Sequence, residues 1–488
     1  MRALIDDAKY YNKNLYLFYG DLEKCFDKLW LRDCIVEAWK AGVPANEAMI
    51  IFEMNKEAKI VVDTPHGRTA EITTKEIVRQ GTIWGPTLCA VSTEKVNKVG
   101  EKVSTLYSNL NVESLTYVDD ICGAGGRETV SKTIDNCARM EEKKRMTFNE
   151  TKSNYQILEF GEKRDRVEIK KRVKKGPIIK TDKYKYLGDY VNNKGTYKDT
   201  IQNKEKKIYG ITKAIIKDAD CTGESYGKVV NKLYLTKALP YVTSNMETWS
   251  AISKSEMASI EKMQKDMLLR IYGMPKTTPY EPFLSELGIW PIRHYINYKK
   301  LLLLHNLINS PDERVAAKIL KAQMENQIRN CWYSELKERC DQYEIDTTSV
   351  KDISKNEWKK RIRKAITKSI ENEEWTKRTK SRNSKGFERK KYLDETDKAT
   401  MRNILSMKVN MIEVKMNYKG KYRDIKCPIC KTEDDTTEHS FECNDLKDKV
   451  GEESTSVSKE DITSENVVKL KMLEKYIKKA LKIREIYL

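Results

Sequence analysis

Residues 115–124 read LTYVDDICGA. Leu115 to Val118 is a short run with aromatic and β-branched residues, and Ile121 to Ala124 is a second apolar run. Asp119 and Asp120 stand side by side between them. This pattern predicts a tight β-hairpin with both carboxylates at or beside its turn. Two like charges on a buried platform are costly unless a cation sits with them. A hard dication such as Mg²⁺, which takes oxygen ligands, meets that need. A solvated Asp-Asp turn is the competing reading of the stretch alone, because Asp is a common turn residue.

Upstream, residues 15–22 (LYLFYGDL) read as a buried strand that delivers Asp21 at its C-terminal end. A helix is expected next, through Leu29, Trp30, Ile35 and Ala38, ending at Gly42. A second helix is expected over residues 49–58, then a strand–turn–strand over 58–78 turning at Pro65-His66-Gly67. A loop with Gly81, Gly85 and Pro86 leads to a helix from about Thr87. Downstream, residues 127–146 carry Val130, Ile134, Cys137 and Met140 at helical spacing, and MTFNETKSNYQILEF and YKYLGDYV read as later strands. Irregular alternation of strands and helices predicts an α+β domain ending near residue 195.

Beyond that point the pattern is helical. Ser253 and Glu256 form a capping box, Ile260, Met263, Met267 and Ile271 the inner face, and Gly273 the stop. Further helices are expected near 200–218, 224–238, 294–309 and 313–342. Residues 346–425 are charged, with the densest basic run at 377–391, which suits a solvated linker or a contact with backbone phosphates. The C-terminal stretch carries Val468, Met472, Leu473, Tyr476, Ile477, Ala480 and Leu481 as an amphipathic helix packed on the protein.

Ninety-two Lys and Arg against 73 Asp and Glu leave a net charge of +19, which suits a polyanionic partner, nucleic acid first. No stretch approaches the ~18 apolar residues of a membrane span, and no secretory signal is visible. Most of the 11 cysteines are scattered singly, which predicts buried thiols in a reducing compartment. The exception is CPICKTEDDTTEHSFEC. Cys427, Cys430, His439 and Cys443 follow C-x2-C-x8-H-x3-C, a closed donor set suited to one structural Zn²⁺. His66, His294 and His305 stand alone and read as structural; Cys331 and Cys340 have no matching His nearby.

If the strand ending at Asp21 neighbours the YVDD hairpin, three carboxylates converge. That arrangement can hold two metal ions ~4 Å apart for in-line phosphoryl displacement.

GDLEKCFDKLW, VRQGTIWGP, YVDD, MTFNETKS and YKYLGDYV occur in the order of the palm motifs of reverse transcriptases, and the chain most resembles those of non-LTR (LINE-type) retrotransposons. The resemblance implies a reverse-transcriptase palm, an antiparallel sheet with packed helices, followed by a helical thumb and a zinc knuckle. It implies RNA-directed DNA polymerase activity with two Mg²⁺, an RNA template, a DNA primer and dNTPs as partners, and no membrane. Carried over by position, Asp21, Asp119 and Asp120 hold the magnesium ions, with the Leu22 carbonyl beside them. Phe26 is the bulky gate that leaves no room for a ribose 2′-OH. Gln80 and Gly81 line the nucleotide pocket, Arg79 lies near template or primer, and Lys152 matches the lysine proposed to protonate pyrophosphate. In relatives a similar knuckle follows the polymerase domain and is thought to contact nucleic acid.

The expected domains are 1–195 (palm, fingers truncated), 196–345 (helical thumb and connection), 346–425 (basic charged linker or helical segment), 426–445 (knuckle) and 446–488 (tail with an amphipathic helix). Relatives carry a fingers region before the first Asp motif, whereas 20 residues precede Asp21 here. The chain is therefore expected to be the C-terminal part of a longer polyprotein, with fingers upstream and any endonuclease upstream or absent, or else an inactive truncated copy. The alternative function is a non-catalytic nucleic-acid binder with a basic surface and a zinc knuckle.

Overall fold

The computed structural model describes residues 1–75, 78–79, 81–97, 103–104, 111–112, 115–117, 120–143, 146–325, 331–373, 387–418, 420–451 and 457–487. The chain divides into two compact units, Met1–Asp199 with Ser310–Ser334 and Thr200–Asn309 with Glu335–Leu488.

The first unit is built on a five-stranded sheet. Helix α1 (Arg2–Tyr10) leads into strand β1 (Leu15–Asp21), then come helices α2 (Leu31–Lys40) and α3 (Ala45–Glu53), a ribbon of β2 (Glu57–Ile60) with β3 (Ile72–Lys75), and helix α4 (Gly85–Asn97). Next are β4 (Leu115–Tyr117), β5 (Asp120–Gly125), helix α5 (Arg127–Lys143), β6 (Asn154–Leu158) and β7 (Ile179–Lys180). A hairpin of β8 (Lys183–Tyr186) and β9 (Asp189–Asn192) follows. The sheet order is β7-β6-β1-β5-β4; β1 is central and antiparallel to both neighbours.

A central strand covered on both faces should be apolar throughout, and Leu15 to Gly20 are all buried. Alternation divides the side chains. Tyr16 and Phe18 join Val130, Ile134 and Cys137 of α5, while Leu15, Leu17 and Tyr19 join Leu4, Ile5 and Ala8 of α1. Two glycines allow close approach. A Cβ on Gly20 would lie 2.8 Å from the Phe148 ring, and one on Gly123 would lie 2.9 Å from the Thr133 methyl.

Several boundaries differ from expectation. The second helix starts at Ala45 and ends at Glu53, so the β-ribbon begins earlier, at Glu57. Helix α4 starts at Gly85, with Pro86 in its first turn, where a missing N–H costs nothing. MTFN is not a strand: only Phe148 bridges, to Leu22, and pairing begins at Asn154. The span 313–342 holds two helices, Val315–Glu325 and Trp332–Gln342.

The second unit is helical. Helix α6 (Lys254–Tyr272) has the expected capping box at Ser253 and Glu256 and ends on Gly273, which adopts φ 67. Helix α7 (Ile292–Ile308) follows, then α8 (Lys355–Asn372) and the C-terminal α9 (Val467–Glu485). In α9, Leu473, Tyr476, Ile477 and Ala480 are buried, but Val468 and Met472 face solvent. His294 is buried with Nδ1 2.9 Å from the Tyr343 hydroxyl, and His305 Nε2 lies 3.0 Å from the Ile353 carbonyl. Among the described residues no helix is long and apolar enough to cross a membrane.

Candidate active site and metal centre

Strand β1 ends at Asp21 and β5 begins at Asp120, and the antiparallel register sets these two residues directly opposite each other. Cross-strand partners hold their Cβ atoms about 5 Å apart, so one divalent site can draw on both carboxylates. On its other side Asp120 pairs with Tyr117. Asp120 is thus the first residue of its strand, directly beside the hairpin connection, as the sequence predicts. Asp119, which lies between these paired positions, is outside the described residues, as is Gln80.

The loop after α5 fixes Asp21. Its N–H donates to the Ser153 hydroxyl at 3.2 Å, and its carbonyl accepts from Asn149 N–H at 2.8 Å. The Asn149 side chain accepts from the N–H groups of Thr151 and Lys152, a local turn that presents Lys152. The Lys152 ammonium lies 3.5 Å from Asp21 Oδ2 and remains largely solvent-exposed. The oxygen donors of Asp21 and Asp120 suit Mg²⁺, and a cation already rests against one of them. Leu22 is buried and bridged to Phe148.

Phe26 is half-buried, and a Cβ on Gly85 would lie 3.5 Å from its ring. Beside it the Cys25 and Cys89 sulfurs are 3.0 Å apart. Gly81 takes φ +85, a conformation that side chains rarely adopt. Arg79 donates to Asn55 Oδ1 at 3.1 Å and to the Met54 carbonyl at 3.0 Å, so it anchors this loop to the end of α3.

Hairpin β8–β9 forms no ladder with the main sheet. Beside the Glu159 N–H, which donates to the Asn193 carbonyl at 2.8 Å, Gln156, fully buried on β6, supplies a side-chain link. Its amide donates to the carbonyls of Asp182 at 2.8 Å and Val191 at 3.1 Å, and its oxygen accepts from the Tyr19 hydroxyl. The Tyr19 ring stacks on Tyr184 with centroids 4.0 Å apart. Burial, then the charges of Asp21 and Asp120, push the Tyr184 phenol well above its usual range, so it stays neutral. Gln156→Met would remove the amide donor from both carbonyls, at about 1–3 kcal/mol, although Asp182 still accepts from Asn193 N–H at 3.0 Å. Faster deuterium exchange across residues 182–193, with α5 unchanged, is the expected result; unchanged exchange in the hairpin would refute the link. A lone amide inside the apolar run NYQIL was the available sequence signal.

Residues 1–191 match the family described as "Reverse transcriptase (RNA-dependent DNA polymerase)". They form a reverse transcriptase domain. Among curated proteins none matches the chain. Among solved structures, a telomerase from Candida tropicalis in complex with a fragment of telomeric RNA is similar at 12% identity with a TM-score of 0.28. The match covers 66% of this chain and spans about half, 51%, of that one.

Downstream of the reverse transcriptase domain, Cys427, Cys430, His439 and Cys443 converge, with one ligand atom from each within 4.8 Å of all the others. Tetrahedral zinc with bonds of about 2.0–2.3 Å places its ligands a little under ~4 Å apart, so this group can hold the ion. Burial opposes ionisation of Cys430, yet donors from Glu433, Thr432 and His439 lower its pKa to about 6. Burial and the neighbouring Cys427 and Cys430 push Cys443 up to about 12. A bound dication would reverse that repulsion. The purified chain is expected to carry one zinc, and Cys443→Ser to lose it, as read by elemental analysis; metal retained in the variant would refute the assignment.

A cavity of about 600 Å³ opens beside this group and is lined by Glu433, Asp434, Glu442 and Asp445. Two of these acids are paired at the rim, Asp434 with Lys426 at 3.0 Å and Glu442 with Lys459 at 2.5 Å. Asp435, behind it, accepts from Lys415 N–H at 2.7 Å and forms a two-pronged pair with Arg484 of α9. The Tyr476 hydroxyl, also on α9, donates to the Ser440 carbonyl at 2.8 Å.

Proposed function

We propose that the chain is an RNA-directed DNA polymerase of the non-LTR retrotransposon type, extending a primer 3′-OH with dNTPs along an RNA template. The observation that carries this reading is the register that sets Asp21 opposite Asp120, with the Lys152 ammonium 3.5 Å from Asp21. Asp21, Asp120 and Asp119 would hold two Mg²⁺, which supply an activated hydroxyl and neutralise charge on the departing pyrophosphate. Lys152 holds a proton at Nζ within reach of that leaving group. Phe26 restricts the space under the sugar, and Gly81 and Gln80 line the nucleotide pocket. Arg79 acts by holding the pocket loop in place. The block order and the Cys₃His group that follows the domain favour the non-LTR type, with zinc in a structural role.

Primer extension on an RNA template, with and without Asp119→Asn, tests the reading. Extension by the wild type and its loss in the variant is the expected pattern. Activity that survives the substitution would remove the two-metal assignment. Nucleic-acid binding with no extension in either form would leave the non-catalytic binder.

A further inference from the structure

Helix α8 carries seven lysines and arginines against two glutamates. Its stability comes from one stripe, Trp358, Ile362, Ile366 and Ile370, each 0% exposed. Trp358 also donates from its indole N–H to the Leu301 carbonyl at 2.9 Å. Two residues along from the stripe, and therefore on the opposite side of the helix, runs a second i, i+4 row: Lys360, Lys364 and Lys368, all exposed. Arg361 and Arg363 flank it.

Folding gains little from this row. Like charges at i, i+4 destabilise a helix by about 0.2–0.5 kcal/mol per pair. The helix dipole favours cations in the last turn, and the last turn of α8 has none. Lys368 is paired with Glu344 at 2.6 Å. Among the described residues no carboxylate pairs with Lys360 or Lys364. Arg361 and Arg363 are held at the flanks by the Ser349 hydroxyl and the Tyr298 ring. The row thus lies along a helix ~27 Å long, held in place by a buried seam.

We propose that this face of α8 binds the phosphate backbone of duplex nucleic acid, the RNA–DNA hybrid of the polymerisation reaction. The proposal rests on the polymerase reading for the identity of the duplex but not for the contact itself. Three observations narrow the partner. The charge is complementary to phosphate, whereas at the mouth of the Cys₃His group lysines and acids are paired. The apolar stripe is fully buried, so α8 has no face to insert into a membrane. The only aromatic residue in α8, Trp358, is buried, so the helix itself offers no stacking platform of the kind used for single strands. Contacts of this kind hold a duplex without reading its sequence.

The test uses the full chain and a labelled RNA–DNA hybrid, with affinity measured by anisotropy between about 50 and 200 mM salt. Lys360→Gln combined with Lys364→Gln is expected to weaken binding about tenfold at low salt and to reduce the slope of log K against log salt by about 1.4–1.8. Lys471→Gln with Lys475→Gln, the same charge change on exposed positions of α9, is expected to leave the slope in place. Unchanged binding in the α8 variant, or an equal loss in the α9 control, would overturn the proposal. So would equal affinity and slope for single-stranded RNA, or binding of phosphatidylserine vesicles in place of the hybrid. If the wild type extends no primer while hybrid binding still depends on Lys360 and Lys364, the polymerase reading fails and the α8 contact stands.

Discussion

Asp120→Asn is expected to cut primer extension by at least ~10³-fold, about 4 kcal/mol of barrier, while leaving affinity for the primer–template hybrid within about twofold. The substitution keeps the shape of the side chain and its strand pairing with Asp21 and Tyr117, so the sheet should be undisturbed. What it removes is charge. A carboxylate attracts a hard dication as a charged oxygen donor, and an amide oxygen does so far more weakly. Losing one of the acids should therefore remove the ions from the position where they stabilise the in-line displacement. Asp21→Asn should match it, and it also removes the carboxylate that faces Lys152 at 3.5 Å. Lys152→Ala should cost less, about 10²-fold, the low end of the range for general acids. Extension assays paired with anisotropy measure both quantities. Extension within tenfold of wild type for Asp120→Asn would sink the two-metal site, and a parallel loss of hybrid binding would mean the substitution acted on the fold.

Much of the palm was legible because its signals are local. The apolar run ending at Asp21, the helical spacing of Val130, Ile134, Cys137 and Met140, and the Ser253–Glu256 cap each lie within a few turns of chain, and each element forms where those residues stand. Boundaries were harder to read where a residue's role depends on a distant partner. Phe148 fits the pattern of a strand, yet its backbone bridges only Leu22 and its ring lies close to Gly20. In the last helix Val468 and Met472 match the apolar period, but nothing packs over them and they face solvent.

The candidate site followed the same division. Register between β1 and β5 could be anticipated from the two acidic motifs, but the groups that hold the site could not. Gln156 and Ser153 look like ordinary strand and loop residues until Tyr19, Val191 and Asp21 are brought to them. The lysine row of α8 was within reach, since its period of four is present in the sequence. It was hidden by the uniformly charged stretch around it, where only a known buried face shows which cations look outward.

Arg484→Met is expected to destabilise the C-terminal part of the second unit by about 3–5 kcal/mol, the usual result of removing one partner from a buried ion pair. Both members are essentially sealed from solvent, at 1% and 0% side-chain exposure. The variant would leave Asp435 with the Lys415 N–H as its remaining described donor and no cation. That is an uncompensated buried charge, not merely a lost contact. Asp435 lies between Cys430 and His439 in the sequence, so the strain falls on the metal loop, and easier zinc release to a chelator should accompany the lower melting temperature. The double variant Arg484→Met, Asp435→Leu separates the two contributions. Replacing both charges with apolar groups is often neutral or stabilising, so most of the lost stability should return. The Lys415 N–H would still lack its acceptor, at a residual cost of about 1–3 kcal/mol. Melting curves and chelator-release rates on the three proteins measure this. If Arg484→Met melts like wild type and holds zinc as tightly, α9 does not clasp the metal loop through this pair. If the double variant is as unstable as the single, the pair contributes by attraction beyond what desolvation removes.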